Sequence, residues 1–132
     1  MTPGFKLVGR LKERALTLAL AESCTGGMVA QHVTDVAGSS SVFAGGVVCY
    51  ANEVKRDLLQ VPREILDTCG AVSRDTAASL AANVRALFRT DLSAAVTGIA
   101  GPGGGTLDKP VGLVYVAALG PRGLVVRRYV FS

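Results

Sequence analysis

Hydrophobic residues cluster into short runs along the 132-residue chain, separated by polar and glycine-containing segments. The runs are rich in residues that favour β-strands, so we expect about five strands. One run contains Gly45 and Gly46, which inside a strand indicate a bulge or the close approach of another part of the chain. The strands are predicted at Thr17–Ala21, Ser41–Tyr50, Leu92–Thr97, Val111–Leu119 and Leu124–Phe131.

Segments between these runs have the spacing of helices. A helix is predicted after Gly26-Gly27, where Met28, Val29, Val33 and Val36 recur at helical spacing. A short helix is predicted at Asn52–Leu59, because the following proline disfavours helical geometry in the residue before it. The clearest helix follows Ser73, with an apolar residue at every third or fourth position. Its apolar residues are Ala77, Leu80, Ala81, Val84, Leu87 and Phe88.

The order of these elements predicts the fold class. The early strands alternate with helices, whereas Gly120-Pro121-Arg122-Gly123 predicts a hairpin turn between the last two strands. We therefore expect an α/β protein with three layers, α/β/α, and a mixed sheet of about five strands covered on both faces. Residues 1–132 are expected to form a single domain, because this length and a hydrophobic content of 49% suit one core.

Composition narrows the classes of function. The apolar runs are far shorter than the ~20 residues of a membrane-spanning helix, and the amino-terminal residues lack the order of a secretion signal. A cytoplasmic protein with no membrane partner is expected. Three widely spaced cysteines predict reduced thiols and no metal site, and no cofactor is expected. The net charge of +4 is dispersed and only 5% of residues are aromatic, which favours a small anionic ligand over a nucleic acid.

Three polar loops follow predicted strands, and ligands of open α/β sheets bind beyond the carboxyl ends of strands. The first loop packs Glu22, Ser23, Cys24, Thr25 and two glycines into a strand-to-helix turn. Its glycines allow a ligand to approach the backbone, and N–H groups at a helix start can hold a phosphate or a developing oxyanion. The alternative is that Ser23 or Thr25 simply caps the helix.

The second loop, Thr97–Thr106, contains five glycines, which cost backbone entropy when they are ordered. An anion cradle is the sharper interpretation, and a flexible hairpin is the alternative, because the loop lacks the spacing of the known phosphate-binding motifs. The third loop leads to Lys55, which is predicted in the first turns of a helix. The helix dipole and desolvation there both disfavour its proton, so Lys55 is a candidate general base. An exposed lysine paired with Glu53 or Asp57 is the alternative.

Six short motifs occur in order along most of the chain. They are Glu22-Ser-Cys-Thr-Gly-Gly27, Gly38-Ser-Ser40, Gly45-Gly-Val-Val48 with Tyr50 and Lys55, Gly70-Ala-Val-Ser73, Thr97-Gly-Ile-Ala-Gly-Pro102 and Lys109-Pro-Val-Gly112. Together, from about Leu18 to Val116, they resemble the CinA carboxy-terminal domain family in its stand-alone form. The resemblance implies an enzyme that hydrolyses nicotinamide mononucleotide to nicotinic acid mononucleotide and ammonia, and it favours a homodimer.

Hydrolysis of an amide needs a nucleophile, a proton shuttle and donors for the tetrahedral oxyanion. The only histidine, His32, lies on a predicted helix beside no carboxylate partner, which disfavours a Ser-His-Asp triad and a histidine-bound metal. Ser23 activated by Lys55 is the preferred pair. Cys24 is the rival nucleophile, because a thiol is the better attacker, although Cys24 is equally explained as a small buried side chain.

The remaining candidate residues are given roles from the groups of the substrate that the site must bind. Tyr50 is expected to flank the pyridine ring or relay a proton, and Glu22 to orient Lys55 or a substrate hydroxyl. Lys109 is a candidate phosphate contact. Ser39 and Ser40 form a candidate ligand loop or, alternatively, a turn and N-cap pair. Backbone donors and contacts to ribose or phosphate are expected from Thr25, Gly26, Gly27, Thr97, Gly98, Gly101, Gly103 and Gly104.

The family pattern continues past the last residue, Ser132, through a Gly-x-Arg stretch, another arginine and a closing helix. If the chain ends at Ser132, an active-site arginine would be missing and the substrate phosphate would lose a cation. A non-catalytic module that binds pyridine nucleotides is therefore the competing function. The third candidate function is nucleic-acid binding, and only the pI of 9.3 supports it.

Overall fold

The computed structural model describes all 132 residues, which form five α-helices, one 3-10 turn and a five-stranded sheet. The helices are α1 (Pro3–Arg14), α2 (Met28–Thr34), α3 (Asn52–Asp57), α4 (Arg63–Thr68) and α5 (Arg74–Phe88). The strands are β1 (Leu18–Glu22), β2 (Phe43–Val48), β3 (Leu92–Gly98), β4 (Leu113–Gly120) and β5 (Gly123–Val130). Each of the five predicted strands is present, with its ends shifted by a few residues at most.

The sheet is mixed, as predicted. Its strand order is β2-β1-β3-β4-β5, in which β1 pairs in parallel with both β2 and β3, and β4 is antiparallel to both β3 and β5. The three parallel strands therefore end at one edge of the sheet, where Glu22 aligns with Val48 and Val96. We call this edge the carboxyl edge, and the edge at which the same strands begin the amino edge.

Helices cover both faces of the sheet, which confirms the three-layer architecture. On one face, the buried side of α5 packs against small residues of the strands, whose size allows the helix to approach the sheet. On the other face, α1 and α2 cover β1 and the start of β2. The first core consists mainly of Ala77, Leu80, Ala81 and Val84 with Ala19, Ala21, Ala95 and Ala117. The second consists of Val8, Leu11, Leu18, Leu20, Val33 and Val42.

Two glycines in β2 allow close contacts on either side, as the sequence indicates. A Cβ atom on Gly45 would lie 2.9 Å from the ring of Phe88, and one on Gly46 would lie 2.5 Å from the carbonyl oxygen of Leu20. The register also shifts here, because Leu18 pairs with Phe43 whereas Ala19 pairs with Gly45. The strand thus contains the predicted irregularity at the point where Phe88 of α5 packs against it.

Two helices are additional to those that the sequence pattern indicates. In α1, Thr2 caps the helix by accepting a hydrogen bond from the backbone N–H of Phe5 at 3.1 Å, and a proline occupies the first helical position, where its missing N–H is not needed. Helix α4 has six residues and buries none of them. No helix of the structure is both long enough and apolar enough to cross a membrane.

Candidate active site

A cleft of about 280 Å³ opens at the carboxyl edge. Its walls come from the ends of β1, β2 and β3 and from the segment that leads into α5. The cleft therefore forms where parallel strands direct their following loops to one place. Its lining residues are Ser23, Cys24, Tyr50, Asn52, Lys55, Ala71, Val72, Thr97, Gly98, Ile99, Ala100, Gly101, Gly103 and Gly104.

Ser23 and Lys55 meet in this cleft. Ser23 is the first residue after β1, and Lys55 is on the short helix after β2, so two neighbouring parallel strands deliver them to the same point. The Nζ atom of Lys55 lies 2.9 Å from Oγ of Ser23. Its other partners are the backbone carbonyl oxygens of Cys49 at 2.6 Å and Tyr50 at 2.9 Å.

The surroundings of Lys55 favour its neutral form. The side chain is 1% exposed and forms no ion pair, and its burial lowers the pKa of the amine below the ordinary value of 10.5. A neutral amine has two N–H donors and one lone pair. With both donors on the two carbonyl oxygens, the lone pair faces Ser23 and can accept the hydroxyl proton. The contacts therefore suit Lys55 to act as a general base toward Ser23.

Cys24 lies beside this pair and is partly exposed. Burial raises the pKa of its thiol above the ordinary value of 9.0, although nearby backbone N–H groups and Lys55 oppose the effect. A Cβ atom added to Gly98 would lie 3.1 Å from its sulfur, so Gly98 makes room for this side chain. A thiol with a raised pKa is mostly protonated at neutral pH, which makes it a weaker nucleophile than its sulfur chemistry implies.

Three backbone N–H groups remain without a partner in the first loop, those of Cys24, Thr25 and Gly27. The N–H of Ser23 donates to Val96, and the N–H of Gly26 donates to the carbonyl of Ser23, whereas those of Cys24 and Thr25 donate to no group of the chain. Both lie close enough to the Cys24 sulfur to lower its pKa. This pair is a candidate oxyanion site, and Cys24 is a donor that the sequence reasoning missed.

Glu22 has neither of the contacts expected from the sequence. Its carboxylate is 2% exposed, does not line the cleft and does not contact Lys55. One oxygen accepts hydrogen bonds from Oγ1 of Thr25 at 2.6 Å and the N–H of Val29 at 2.9 Å, and the other accepts from the N–H of Ala30 at 2.9 Å. Glu22 is therefore the anion at the start of α2, and these N–H groups are not open to a phosphate.

The glycine-rich loop forms the opposite wall of the cleft. Thr97 is buried, and its hydroxyl donates to the carbonyl of Ala71 at 2.8 Å, which joins the end of β3 to the segment before α5. Gly101, Gly103 and Gly104 line the cleft, and their backbone N–H groups have no intramolecular acceptor. They can bind phosphate or ribose oxygens, which is the role expected of this loop.

The structure adds lining residues that have no distinctive sequence signal. Asn52 is exposed at the start of α3 and offers an amide to a ligand, next to the largely exposed ring of Tyr50. The others contribute backbone or small apolar surface, and they are Ala71, Val72, Ile99 and Ala100.

Several predicted site residues lie away from the cleft in this chain. Ser39 and Ser40 precede β2 in a 3-10 turn at the amino edge, where the N–H of Leu18 donates to Val42. Because β1 and β2 are parallel, the length of β1, roughly 13 Å, separates these serines from Ser23. His32 is exposed on α2.

Four other predicted site residues, Lys109, Gly26, Gly27 and Thr25, also lie outside the cleft. The ammonium group of Lys109 donates to the carbonyl of Cys69, so the proposed phosphate contact is instead a link between the glycine-rich loop and the segment before α5. Gly26 and Gly27 do not line the cleft, and the N–H of Gly26 is already paired. The side chain of Thr25 faces Glu22, and only its backbone is available to a ligand.

The fold and the site together define the class of this protein. It is an α/β protein with a ligand cleft at the carboxyl ends of its parallel strands, and the cleft holds a buried Ser-Lys pair beside unpaired N–H groups. A family model described as the CinA C-terminal domain matches residues 5–132. The chain belongs to this family.

Known relatives agree with the assignment. A CinA-like protein from Geobacter sulfurreducens is 55% identical over 95% of this chain, and one from Geotalea uraniireducens is 52% identical over 91%. The crystal structure of a competence/damage inducible protein from Agrobacterium tumefaciens is 42% identical with a TM-score of 0.95 and covers 98% of this chain. A CinA superfamily protein from Enterobacter cloacae is 32% identical with a TM-score of 0.93, also over 98%.

The matched regions differ in their share of each relative. The chain spans 29–30% of the length of these two sequence relatives. It spans 79% of the Agrobacterium chain and 76% of the Enterobacter chain.

Proposed function

We propose that this chain is an amidohydrolase that converts nicotinamide mononucleotide to nicotinic acid mononucleotide and ammonia. The observation that carries the proposal is the contact of 2.9 Å between Nζ of Lys55 and Oγ of Ser23, made by a lysine that is buried without a counter-ion. A lysine in such surroundings loses its proton at lower pH and can take the proton of a serine hydroxyl.

The first half of the reaction forms an acyl-enzyme. Oγ of Ser23 attacks the carboxamide carbon while its proton passes to Nζ of Lys55, and the carbonyl oxygen becomes an oxyanion. The N–H groups of Cys24 and Thr25, which are unpaired in the chain, stabilise this charge. The carbon–nitrogen bond then breaks, and the nitrogen leaves as ammonia with the proton that Lys55 returns.

The second half releases the acid. A water molecule attacks the ester carbon and gives its proton to neutral Lys55. The bond to Oγ of Ser23 breaks, and the same proton returns to that oxygen. One water is consumed, one ammonia and one carboxylic acid are released, and both side chains return to their starting states. One lysine thus serves as base and acid in each half-reaction.

Support for a nucleotide substrate comes from the other wall of the cleft. Gly101, Gly103 and Gly104 line the cleft, and their N–H groups, which have no acceptor in the chain, are available to phosphate or ribose oxygens. The pyridine ring is assigned by the resemblance of the six motifs, with Tyr50 and Asn52 at the mouth as its contacts. A homodimer, a cytoplasmic location and the absence of nucleic-acid partners remain predictions of the sequence.

The test is release of ammonia from nicotinamide mononucleotide by the wild type and by the matched variants Ser23→Ala and Cys24→Ala. We expect Ser23→Ala to lower kcat by about 10³-fold or more, whereas Cys24→Ala retains most of the activity. The acyl-enzyme should appear as a mass increase on the peptide that contains Ser23 when the reaction is quenched with acid.

Two results would contradict the assignment. Loss of activity in Cys24→Ala but not in Ser23→Ala would make Cys24 the nucleophile. Binding of the nucleotide in calorimetry without release of ammonia by the wild type would show a binding module in place of an enzyme.

A further inference from the structure

Glu22 has a buried carboxyl group that forms no ion pair. The two ion pairs of the chain, Arg56 with Asp57 and Arg63 with Asp67, do not include it. Three hydrogen bonds stabilise the carboxylate, from Oγ1 of Thr25 and from the N–H groups of Val29 and Ala30. A carboxylate at a helix start is favoured by the helix dipole, so the charge is compatible with burial.

These hydrogen bonds also determine the path of the chain after Ser23. The bond from Thr25 to Glu22 closes a turn around Cys24, and the bonds to Val29 and Ala30 join this turn to α2. Within the turn, the N–H of Gly26 is paired with Ser23, whereas those of Cys24, Thr25 and Gly27 have no acceptor. The N–H groups of Cys24 and Thr25 lie beside the sulfur of Cys24, which lines the cleft. The directions of these two N–H groups therefore depend on the Glu22–Thr25 contact.

We propose that Glu22 is a positioning residue, which acts through Thr25 to aim the N–H groups of Cys24 and Thr25 at the oxyanion. The inference rests on the proposed amidase function. Glu22 itself does not touch the substrate, because it is buried behind the loop and outside the cleft. Its effect should therefore appear in kcat, where the oxyanion is stabilised, and only weakly in KM.

The variants Thr25→Val and Thr25→Ser separate this role from simple support of the fold. Valine has the shape of threonine without the hydroxyl, and serine restores the hydroxyl. We expect Thr25→Val to lower kcat about 10-fold, less than the ~10²–10³ for loss of an oxyanion donor, while KM changes by less than about 3-fold. Thr25→Ser should recover most of kcat. Glu22→Gln keeps an oxygen for Thr25 but turns an amide N–H toward the N–H of Ala30, so it should lower kcat less than Thr25→Val does.

Asp91→Asn is the matched control. The Asp91 carboxylate also accepts hydrogen bonds from a backbone N–H and a threonine hydroxyl, both of Thr17, but at the amino edge. It should lower Tm and leave kcat unchanged. A wild-type kcat in Thr25→Val, no recovery in Thr25→Ser, or an equal loss of kcat in Asp91→Asn would overturn the proposal.

A second readout separates this inference from the choice of substrate. A fluorophosphonate probe reacts with an activated serine, forming an O–P bond and releasing fluoride, with the hydroxyl proton going to Lys55. We expect labelling of Ser23 to slow about 10-fold in Thr25→Val and to recover in Thr25→Ser. If the wild type is labelled but releases no ammonia, the proposed substrate fails and this series still tests Glu22. Equal labelling rates in all variants would overturn the role of Glu22.

Discussion

A carboxylate lies near each end of β1, that of Glu22 in the strand itself and that of Asp91 just before β3, and the two ends have different roles. At the carboxyl edge, Glu22 accepts hydrogen bonds from the hydroxyl of Thr25 at 2.6 Å and the N–H of Val29 at 2.9 Å. At the amino edge, Asp91 accepts from the N–H of Thr17 at 2.9 Å and its hydroxyl at 3.0 Å. Both contacts hold a loop against the first strand.

The difference lies in the groups around them. At the amino edge the neighbours are paired, since the N–H of Leu92 donates to Thr17 and Nε of Arg85 donates to the carbonyl of Asp91, both at 2.9 Å. At the carboxyl edge, backbone N–H groups lack acceptors, and Lys55 is buried without a counter-ion. Similar carboxylate hydrogen bonds are thus surrounded by paired groups at the amino edge and by unpaired groups, available to a ligand, at the carboxyl edge.

Removing the buried amine should have the largest effect on this contrast. In Lys55→Met the stem remains but the base is lost, so we expect kcat/KM for the amide to fall about 10³-fold. The matched control is Arg85→Met, which removes a cation that also donates to a backbone carbonyl, but at the amino edge. Ammonia release by both variants, with circular dichroism to verify folding, measures the difference. Equal losses would contradict a special role for the carboxyl edge.

Much of the fold could be predicted from sequence because the strands and α5 bury continuous or periodic apolar residues. Helix α1 escaped prediction because only Val8 and Leu11 of its residues are buried, among charged neighbours. Helix α4 has no fully buried residue, and only the adjacent Ile65 and Leu66 pack partly against the core, so its sequence has no apolar stripe of helical spacing. The pattern of apolar residues reflects burial, so helices that bury few residues cannot be recognised from it.

The site was predictable to the extent that side chains follow strands. Ser23 and Lys55 could be placed at one edge because each comes just after a parallel strand. The same rule would have excluded Ser39 and Ser40, which precede β2 and therefore lie at the amino edge. The partners of Glu22 could not be predicted, because two of its three donors are backbone N–H groups, which every residue except proline carries.

Two glycines of the same loop provide the next sharpest comparison. Gly101 has φ +81°, and a Cβ atom there would lie 2.5 Å from Cγ1 of Val111, whereas a Cβ atom on Gly103 would contact nothing within 4 Å. Gly101→Ala should therefore displace the loop and raise KM for the nucleotide about 10-fold, since strain at such a position costs ~1–3 kcal/mol. Gly103→Ala should change KM by less than about 2-fold. Similar KM values for the two variants would show that the loop does not hold the substrate.

At alkaline pH, the free energy of unfolding should depend on the buried amine of Lys55. Burial lowers the pKa of Lys55, so between its folded-state pKa and the ordinary 10.5 the unfolded chain binds a proton that the folded chain lacks. The free energy of unfolding of the wild type should therefore rise with pH in this window, relative to Lys55→Met, by up to about 1.4 kcal/mol per pH unit. Urea unfolding of both proteins at several pH values measures it. Parallel curves would mean that Lys55 keeps its proton in the folded state.

At acid pH, the stability of the protein should depend on Asp91 at the amino edge. This effect should be smaller than that of Lys55, and catalysis should not change. Hydrogen bonds from the backbone N–H and the hydroxyl of Thr17 lower the pKa of Asp91 below its ordinary 3.8. Its stabilising contribution is therefore fully present above pH 3.8 and is lost as the pH falls through the lower folded-state pKa. Asp91→Asn should lower Tm at neutral pH, and its difference from the wild type should shrink toward pH 3. Because this carboxylate serves only the fold, kcat at neutral pH should stay at the wild-type value. A reduced kcat with an unchanged Tm would mean that the amino edge also contributes to the reaction.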